Sequence, residues 1–319
     1  MTEWSVTEPQ KLTFDAPVTA LSVRIVNGTV NVVGTDGLSD GEPTARLEVT
    51  ELDGPPLVVT HKDGTLTVTY EDLPWHGFLK MFDRRSWNRS AAVTLTVPAG
   101  AKVDVGVVGA NAVVTGIRER TEVRGVTGET TLVGLSGRVK AETVSGNVAA
   151  HTLTGDLQFK SVTGDLTVID GAGSSVRADS VNGALVIDVD TVRNGPTDID
   201  LTTVSGEIAI RLPHPADAKV EANTTSGSIS NAFEDLRVSG QWAQKKITGT
   251  LGTGAGKLRA TTVSGAIALL RRPPRDDAPL DDAPPLDDAP GDTPSDAPTG
   301  TPSDAPSGTP GGTPSGKVL

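Results

Sequence analysis

The 319 residues include no cysteine, so neither a disulfide nor a thiolate metal site holds the chain together. Only ten residues are aromatic, four Trp, one Tyr and five Phe, and any core must therefore be packed with aliphatic side chains. The four histidines are His61, His76, His151 and His214. No two stand at metal-ligand spacing, and His-Glu-x-x-His does not occur. No apolar run approaches the length of a membrane-spanning helix. The opening Met1-Thr2-Glu3-Trp4-Ser5-Val6 lacks the basic and apolar regions of a secretory signal. A cytoplasmic location is expected, with envelope association as the alternative. Basic residues are also scarce, 28 Lys and Arg against 40 Asp and Glu, for a net charge of −12. Between 273 and 319, nine Asp face only Arg275 and Lys317. Most of the acidity thus belongs to that segment. The remainder, mildly acidic, is not expected to bind nucleic acid, which requires a basic face.

What the chain has in quantity is glycine, 36 residues, and its placement is regular. Val126-Thr127-Gly128 is followed by Leu135-Ser136-Gly137, Val144-Ser145-Gly146, Leu153-Thr154-Gly155 and Val162-Thr163-Gly164, with the glycines nine apart. Within each unit apolar residues fall at positions one, five and seven, as in Leu135, Val139 and Ala141. Two-residue alternation is the period of a strand with one buried face. All three positions are expected to point into a shared interior. Gly after Ser or Thr reads as a corner that exploits positive φ. Short strands joined by identical corners suggest an all-β parallel β-helix or β-solenoid, because stacked coils give every corner the same surroundings. An antiparallel β-sandwich is the alternative.

The unit restarts at Val181-Asn182-Gly183, Val204-Ser205-Gly206, Thr225-Ser226-Gly227 and Val263-Ser264-Gly265. The glycines 206, 227 and 249 are about two units apart, so one coil is expected to hold two strands. Gly171-Ala172-Gly173-Ser174 adds a residue and reads as a bulge. Lys62-Asp63-Gly64-Thr65 predicts a hairpin. Accordingly, residues 1–92 form an N-terminal β region, 93–272 the solenoid repeats, and 273–319 a disordered tail rich in Pro, Asp and Thr.

The segment 70–89 interrupts the pattern. Trp75, Phe78, Phe82, Arg84, Arg85 and Trp87 mix aromatics with cations. They are expected to cap an open sheet end, with a protein-partner or peripheral membrane patch as the functional readings. The glycines 128, 137, 146, 155, 164, 183, 206, 227 and 265 are expected to be structural corners. Gly249 to Lys257 resembles a phosphate loop only superficially, since Leu258 follows the Lys where Ser or Thr is required. It is expected to be a turn. Asp156 and Asp165 could form a carboxylate ladder but are expected to be solvated turn residues. Outward Lys140, Glu142, Lys160, Asp170 and Arg177 fall into no single register and suggest no active site. No cofactor or metal site is predicted.

The repeated Val/Leu-Ser/Thr-Gly-x-Val/Leu unit, the step Leu95-x-Val97-Pro98-x-Gly100 and the restart Val204-Ser205-Gly206-Glu207-Ile208 resemble the "putative adhesin" family of bacterial β-strand-repeat proteins, a domain of unknown function. The resemblance covers about 15–272. It implies a parallel β-helix or solenoid and carries over no catalytic residue. The expected function is a non-enzymatic scaffold or protein-interaction module. A surface or envelope adhesin is the alternative, and a carbohydrate-binding or carbohydrate-active β-helix protein is a lower one.

Overall fold

The computed structural model describes residues 2–36, 44–71, 89–190, 198–240 and 244–273. The chain divides into two units, Met1–Pro274 and Arg275–Leu319, and the second lies outside the described residues. Every regular element among the described residues is a strand.

The central repeats show how the sequence builds the fold. Val139–Thr143 lies parallel between Thr121–Gly125 and Leu157–Ser161, with Val139 opposite Thr121 and Leu157. Asn147–His151, half a coil later, lies between Glu129–Val133 and Leu166–Gly171 in a second sheet. Equivalent residues are thus eighteen apart in sequence, and successive nine-residue units go to opposite sheets. The stacked parallel solenoid expected from the glycine spacing is what the chain forms, with two strands per coil.

The first sheet runs in the order Thr2–Val6, Leu57–Lys62, Thr65–Tyr70, Ala20–Ile25, Lys102–Val107, Thr121–Gly125, Val139–Thr143, Leu157–Ser161, Ser175–Asp179, Asp198–Thr203, Gly256–Thr262, Ala218–Thr224, Lys245–Leu251, Leu236–Ser239. The second runs Gln10–Phe14, Ala45–Asp53, Ser90–Pro98, Asn27–Thr35, Asn111–Thr115, Glu129–Val133, Asn147–His151, Leu166–Gly171, Leu185–Val189, Ile208–Leu212, Ile267–Arg271, Ile229–Asn231. Antiparallel strands close both ends of the first sheet. The Lys62–Thr65 hairpin forms as expected, with Asp63 and Gly64 at φ 50° and 74°. The predicted bulge appears as a register shift between Val168 and Gly171. At the C-terminal end the stacking leaves sequence order, because Gly256–Thr262 inserts between Asp198–Thr203 and Ala218–Thr224.

The core lies between the sheets. Positions five and seven face inward as expected. Val105, Val123, Ala141, Phe159, Ala178 and Leu201 stack across one sheet, and all are buried. Val114, Leu132, Ala150, Val168, Ile187 and Ile210 do the same opposite them. Phe159 sits between Ala141 and Ala178 in its row, so small neighbours make room for the one large ring, as close packing requires.

Position one behaves differently. Leu135 and Leu153 are buried, whereas Val144 and Val162 are 39% and 51% exposed. The expectation that all position-one residues point inward therefore holds for Val126, which is buried, and is corrected for Val144 and Val162. The cause is backbone phase. Gly116, Gly134 and Thr152, at φ 71°, 63° and 54°, immediately precede Ile117, Leu135 and Leu153. One left-handed residue resets the strand alternation and turns the next side chain inward. At the other edge no left-handed residue immediately precedes Val144, Val162, Val181, Val204 or Val263, and Ser161, Ser180, Thr203, Thr224 and Thr262 occupy the inner side of the corner. Their neighbours Val162, Val181, Val204, Thr225 and Val263 then face out.

Candidate functional site

The predicted corner glycines lie where adjacent coils approach closely, rather than at the positive φ expected of them. Of those predicted, Gly128 alone has positive φ. The rest are held by close approach of adjacent coils. A Cβ on Gly155 would lie 1.8 Å from the Gly137 carbonyl oxygen, and one on Gly206 would lie 1.9 Å from that of Gly183. The same contact links Gly146 to Gly128, Gly164 to Gly146, Gly183 to Gly164, Gly265 to Gly206 and Gly227 to Gly265, while Gly137 meets the Glu119 carbonyl. The corners are fixed locally by hydroxyls: the Gly146 N–H donates to Thr143 Oγ1 at 2.8 Å, and Thr224 Oγ1 donates to the Gly265 carbonyl at 3.0 Å.

Along this edge the backbone stacks Ser145 on Val126, Thr163 on Val144, Asn182 on Val162, Ser205 on Val181 and Ser264 on Val204. The edge thus presents Val144, Val162, Val181, Val204 and Val263 outward, between 39% and 51% exposed, one per coil. Coils spaced by a strand separation of about 4.8 Å make this a regular apolar row.

The outer face of the first sheet carries charge. Lys140, Gln158 and Arg177 share one row, and Glu142, Lys160 and Asp179 the next. Lys140, Glu142, Lys160 and Arg177 thus share one face but in two registers, and Asp170 belongs to the other sheet, so the five fall into no single register. Opposite charges pair along the face. Arg24 meets Asp104 at 2.7 Å and Lys140 meets Glu142 at 2.7 Å. Buried Glu122 is held by Arg120 at 2.6 Å, by Lys140 at 3.4 Å and by Arg124. Burial raises the Glu122 pKa, but Arg124, Lys140 and the hydrogen bonds from Lys140 and Arg120 outweigh it, and the net shift is downward. Asp156 and Asp165 do not form a ladder, because units nine apart belong to opposite sheets. Each instead secures the next coil: Asp156 accepts from Ser174 Oγ at 2.6 Å and Asp165 from the Ala184 N–H at 2.7 Å.

At the C-terminal end the same face bends into a groove of about 900 Å³. Its lining includes Arg177, Asp200, Lys219, Arg237, Lys257 and Arg259. Sequence reasoning missed this site. The strands that build it stack out of order, so Lys219 and Lys257 become direct cross-strand neighbours. The available signal was local: Lys219-Val220-Glu221 and Lys257-Leu258-Arg259 both alternate charged and apolar residues, which marks one solvated face. Beside the groove, the glycine-rich stretch is a turn between Lys245–Leu251 and Gly256–Thr262, as expected. Its resemblance to a phosphate loop has a structural basis. Two successive amides, Gly254 and Ala255, donate to Asp217 Oδ1 at 2.6 and 2.9 Å. The chain's own carboxylate fills the amide cradle that a phosphate would occupy.

The predicted patch Trp75, Phe78, Phe82, Arg84, Arg85 and Trp87 lies outside the described residues. Among the described residues no group of three or more His, Asp or Glu is placed to hold a metal. No helix among them is long and apolar enough to cross a membrane.

The family model described as Toastrack DUF4097 matches residues 25–270, most of the solenoid. The chain belongs to the Toastrack DUF4097 family. This agrees with the resemblance carried by the repeated unit, and the family is a domain of unknown function. Two crystal structures are similar to this Toastrack chain. A "putative cell adhesion protein" from Clostridium sporogenes shares 8% identity, with 83% of this chain and 100% of that chain covered and a TM-score of 0.26. A "putative lipid binding protein" from Parabacteroides distasonis shares 12% identity, with 84% and 98% covered and a TM-score of 0.31. No curated protein matches significantly.

Proposed function

We propose that this Toastrack chain is a non-enzymatic interaction module that docks a protein partner along its valine edge. The observation that carries the reading is the row Val144, Val162, Val181, Val204 and Val263, exposed on successive coils. Isolated exposed apolar residues need no explanation, but a contiguous row on a rigid scaffold marks an interaction surface. The paired charges on the neighbouring sheet face support a scaffold role, since each carboxylate such as Glu122 or Glu142 is engaged by cations.

The test is site-specific photocrosslinking in the native host, with benzoylphenylalanine in place of Val162 or Val181 and, as a control, in place of Thr131 on the outer face of the other sheet. Protein adducts specific to the valine positions are expected. Absence of adducts from correctly folded variants at both positions refutes the reading. A cytoplasmic location is part of the proposal. Fractionation that finds the chain only in the envelope would favour the adhesin role instead.

A further inference from the structure

We propose that the C-terminal groove of the first sheet binds a compact polyanion bearing two or more phosphate groups. This goes beyond partner docking and uses a different surface, the outer sheet face rather than the solenoid edge.

The case begins with charge bookkeeping inside the groove. Its lining holds six cations, Arg177, Lys219, Arg237, Lys246, Lys257 and Arg259, and four carboxylates. Three of the carboxylates are already engaged. Glu221 binds Lys246 at 2.8 Å and Arg259 at 3.7 Å. Asp200 meets Arg177 at 3.8 Å, and Asp198 Oδ1 accepts the Lys257 backbone N–H at 3.0 Å. Among the described residues, the side chains of Lys219, Arg237 and Lys257 have no carboxylate within 4.0 Å. Elsewhere on this face Arg24, Arg124 and Lys140 meet carboxylates, and the chain as a whole carries −12. Three cations gathered in one groove without a carboxylate in reach stand out against that background.

Register makes the exception sharper. Lys219 and Lys257 are direct cross-strand partners, and like charges placed opposite one another destabilise a sheet. Their neighbours in the row are Asp198 on one side and Thr250 on the other. In the adjacent row Thr248 is the cross-strand partner of both Glu221 and Arg237. Two ammonium groups side by side, a guanidinium across the groove, and the hydroxyls of Thr248 and Thr250 form a donor set for oxyanions. Gly254 helps hold it in shape: a Cβ there would come within 3.1 Å of Lys219 Cγ and 2.7 Å of Thr250 Cγ2.

The same lining limits what can bind. No aromatic side chain lines the groove among the described residues, so it offers no stacking platform for bases. The interleaved carboxylates repel a long, uniformly charged polynucleotide. A compact ligand that bridges the lysine pair and Arg237 fits, whether a soluble polyphosphate or a phosphate-rich lipid headgroup.

Calorimetric titration of the full chain with inorganic tripolyphosphate at fixed ionic strength tests the site, and co-sedimentation with vesicles of phosphatidic acid in phosphatidylcholine separates the two sources. Saturable 1:1 binding is expected, weakened at least tenfold in Lys219→Ala/Lys257→Ala. It should be unchanged in Lys62→Ala/Lys160→Ala, which removes the same charge from exposed positions outside the groove. Tripolyphosphate binding without sedimentation assigns a soluble ligand. Sedimentation lost in the groove variant alone assigns a headgroup. The inference is overturned if wild type binds neither probe, or if the groove variant binds as tightly as wild type.

Discussion

Replacing Gly155 by Ala tests the idea that the corner glycines exist for coil-to-coil contact. The added Cβ would sit 1.8 Å from the Gly137 oxygen, 2.6 Å from its carbonyl carbon and 2.7 Å from the Ser136 oxygen. Ordinary contact begins at 3.4 Å, so neighbouring coils would have to part by about 1.6 Å at this corner. All three obstructing atoms are backbone, and no rotamer change can relieve them. Two ladder hydrogen bonds flank the corner, Thr154 N–H to the Leu135 carbonyl at 3.0 Å and Val139 N–H to the Asp156 carbonyl at 2.8 Å. Overpacking costs about 1–3 kcal/mol, and each weakened hydrogen bond about 1 kcal/mol. The expected loss is therefore about 3–5 kcal/mol. Two comparisons isolate the cause. At Gly134 an added Cβ meets nothing within 4 Å but φ is +63°, so only backbone strain of about 1 kcal/mol is expected. At Gly100 there is open space and no unusual φ, and Ala should be neutral or slightly stabilising through the unfolded chain. Urea denaturation of the three variants, followed by circular dichroism, gives the order. If Gly155→Ala costs no more than Gly134→Ala, the close-approach argument fails.

Two further predictions concern stability. Thr152 is a β-branched residue at φ 54°, where the equivalent corner one coil earlier uses Gly134. Thr152→Gly should raise stability by up to about 1 kcal/mol by removing left-handed strain; a lower melting temperature would show that the hydroxyl contributes more than the strain costs. Glu122 has its pKa lowered in the folded state by Arg124 and Lys140, against the opposing effect of burial. Its contribution is therefore fully present above the unfolded value near 4.3 and is lost as pH falls through the lower folded value. Wild type should exceed Glu122→Gln by about 2 kcal/mol at neutral pH, and the gap should shrink in acid. A difference that does not change with pH would remove the charge-based explanation.

Much of the architecture was legible because the solenoid repeats its environment, and a repeated environment selects repeated residues. The Lys62–Thr65 hairpin and the extra residue before Gly173 were legible through local turn chemistry. The groove was not. Local pattern marks Lys219 and Lys257 as outward residues, but only the non-sequential insertion of Gly256–Thr262 beside Ala218–Thr224 makes them neighbours. No short-range signal records that choice, which depends on how the C-terminal strands close the end of the first sheet.

The corner phase lies between these extremes, and it shows what a nine-residue repeat conceals. Read in one register, every unit begins with an apolar residue and every unit should bury it. The identity of that residue nevertheless alternates, Val126, Leu135, Val144, Leu153, Val162. Leu stands where Gly134 or Thr152 adopts positive φ just before it, and Val where Thr143 or Ser161 precedes it. A strand that continues through its corner without a left-handed residue must place consecutive side chains on opposite sides. Once Thr143 or Ser161 turns toward the interior, Val144 or Val162 has to face outward. Leu can fill the interior at the opposite edge only because the backbone has been reset there. In these central coils the physical repeat is therefore eighteen residues, and the exposed valines follow from a left-handed residue just before position one at the Leu edge and none just before Val144 or Val162.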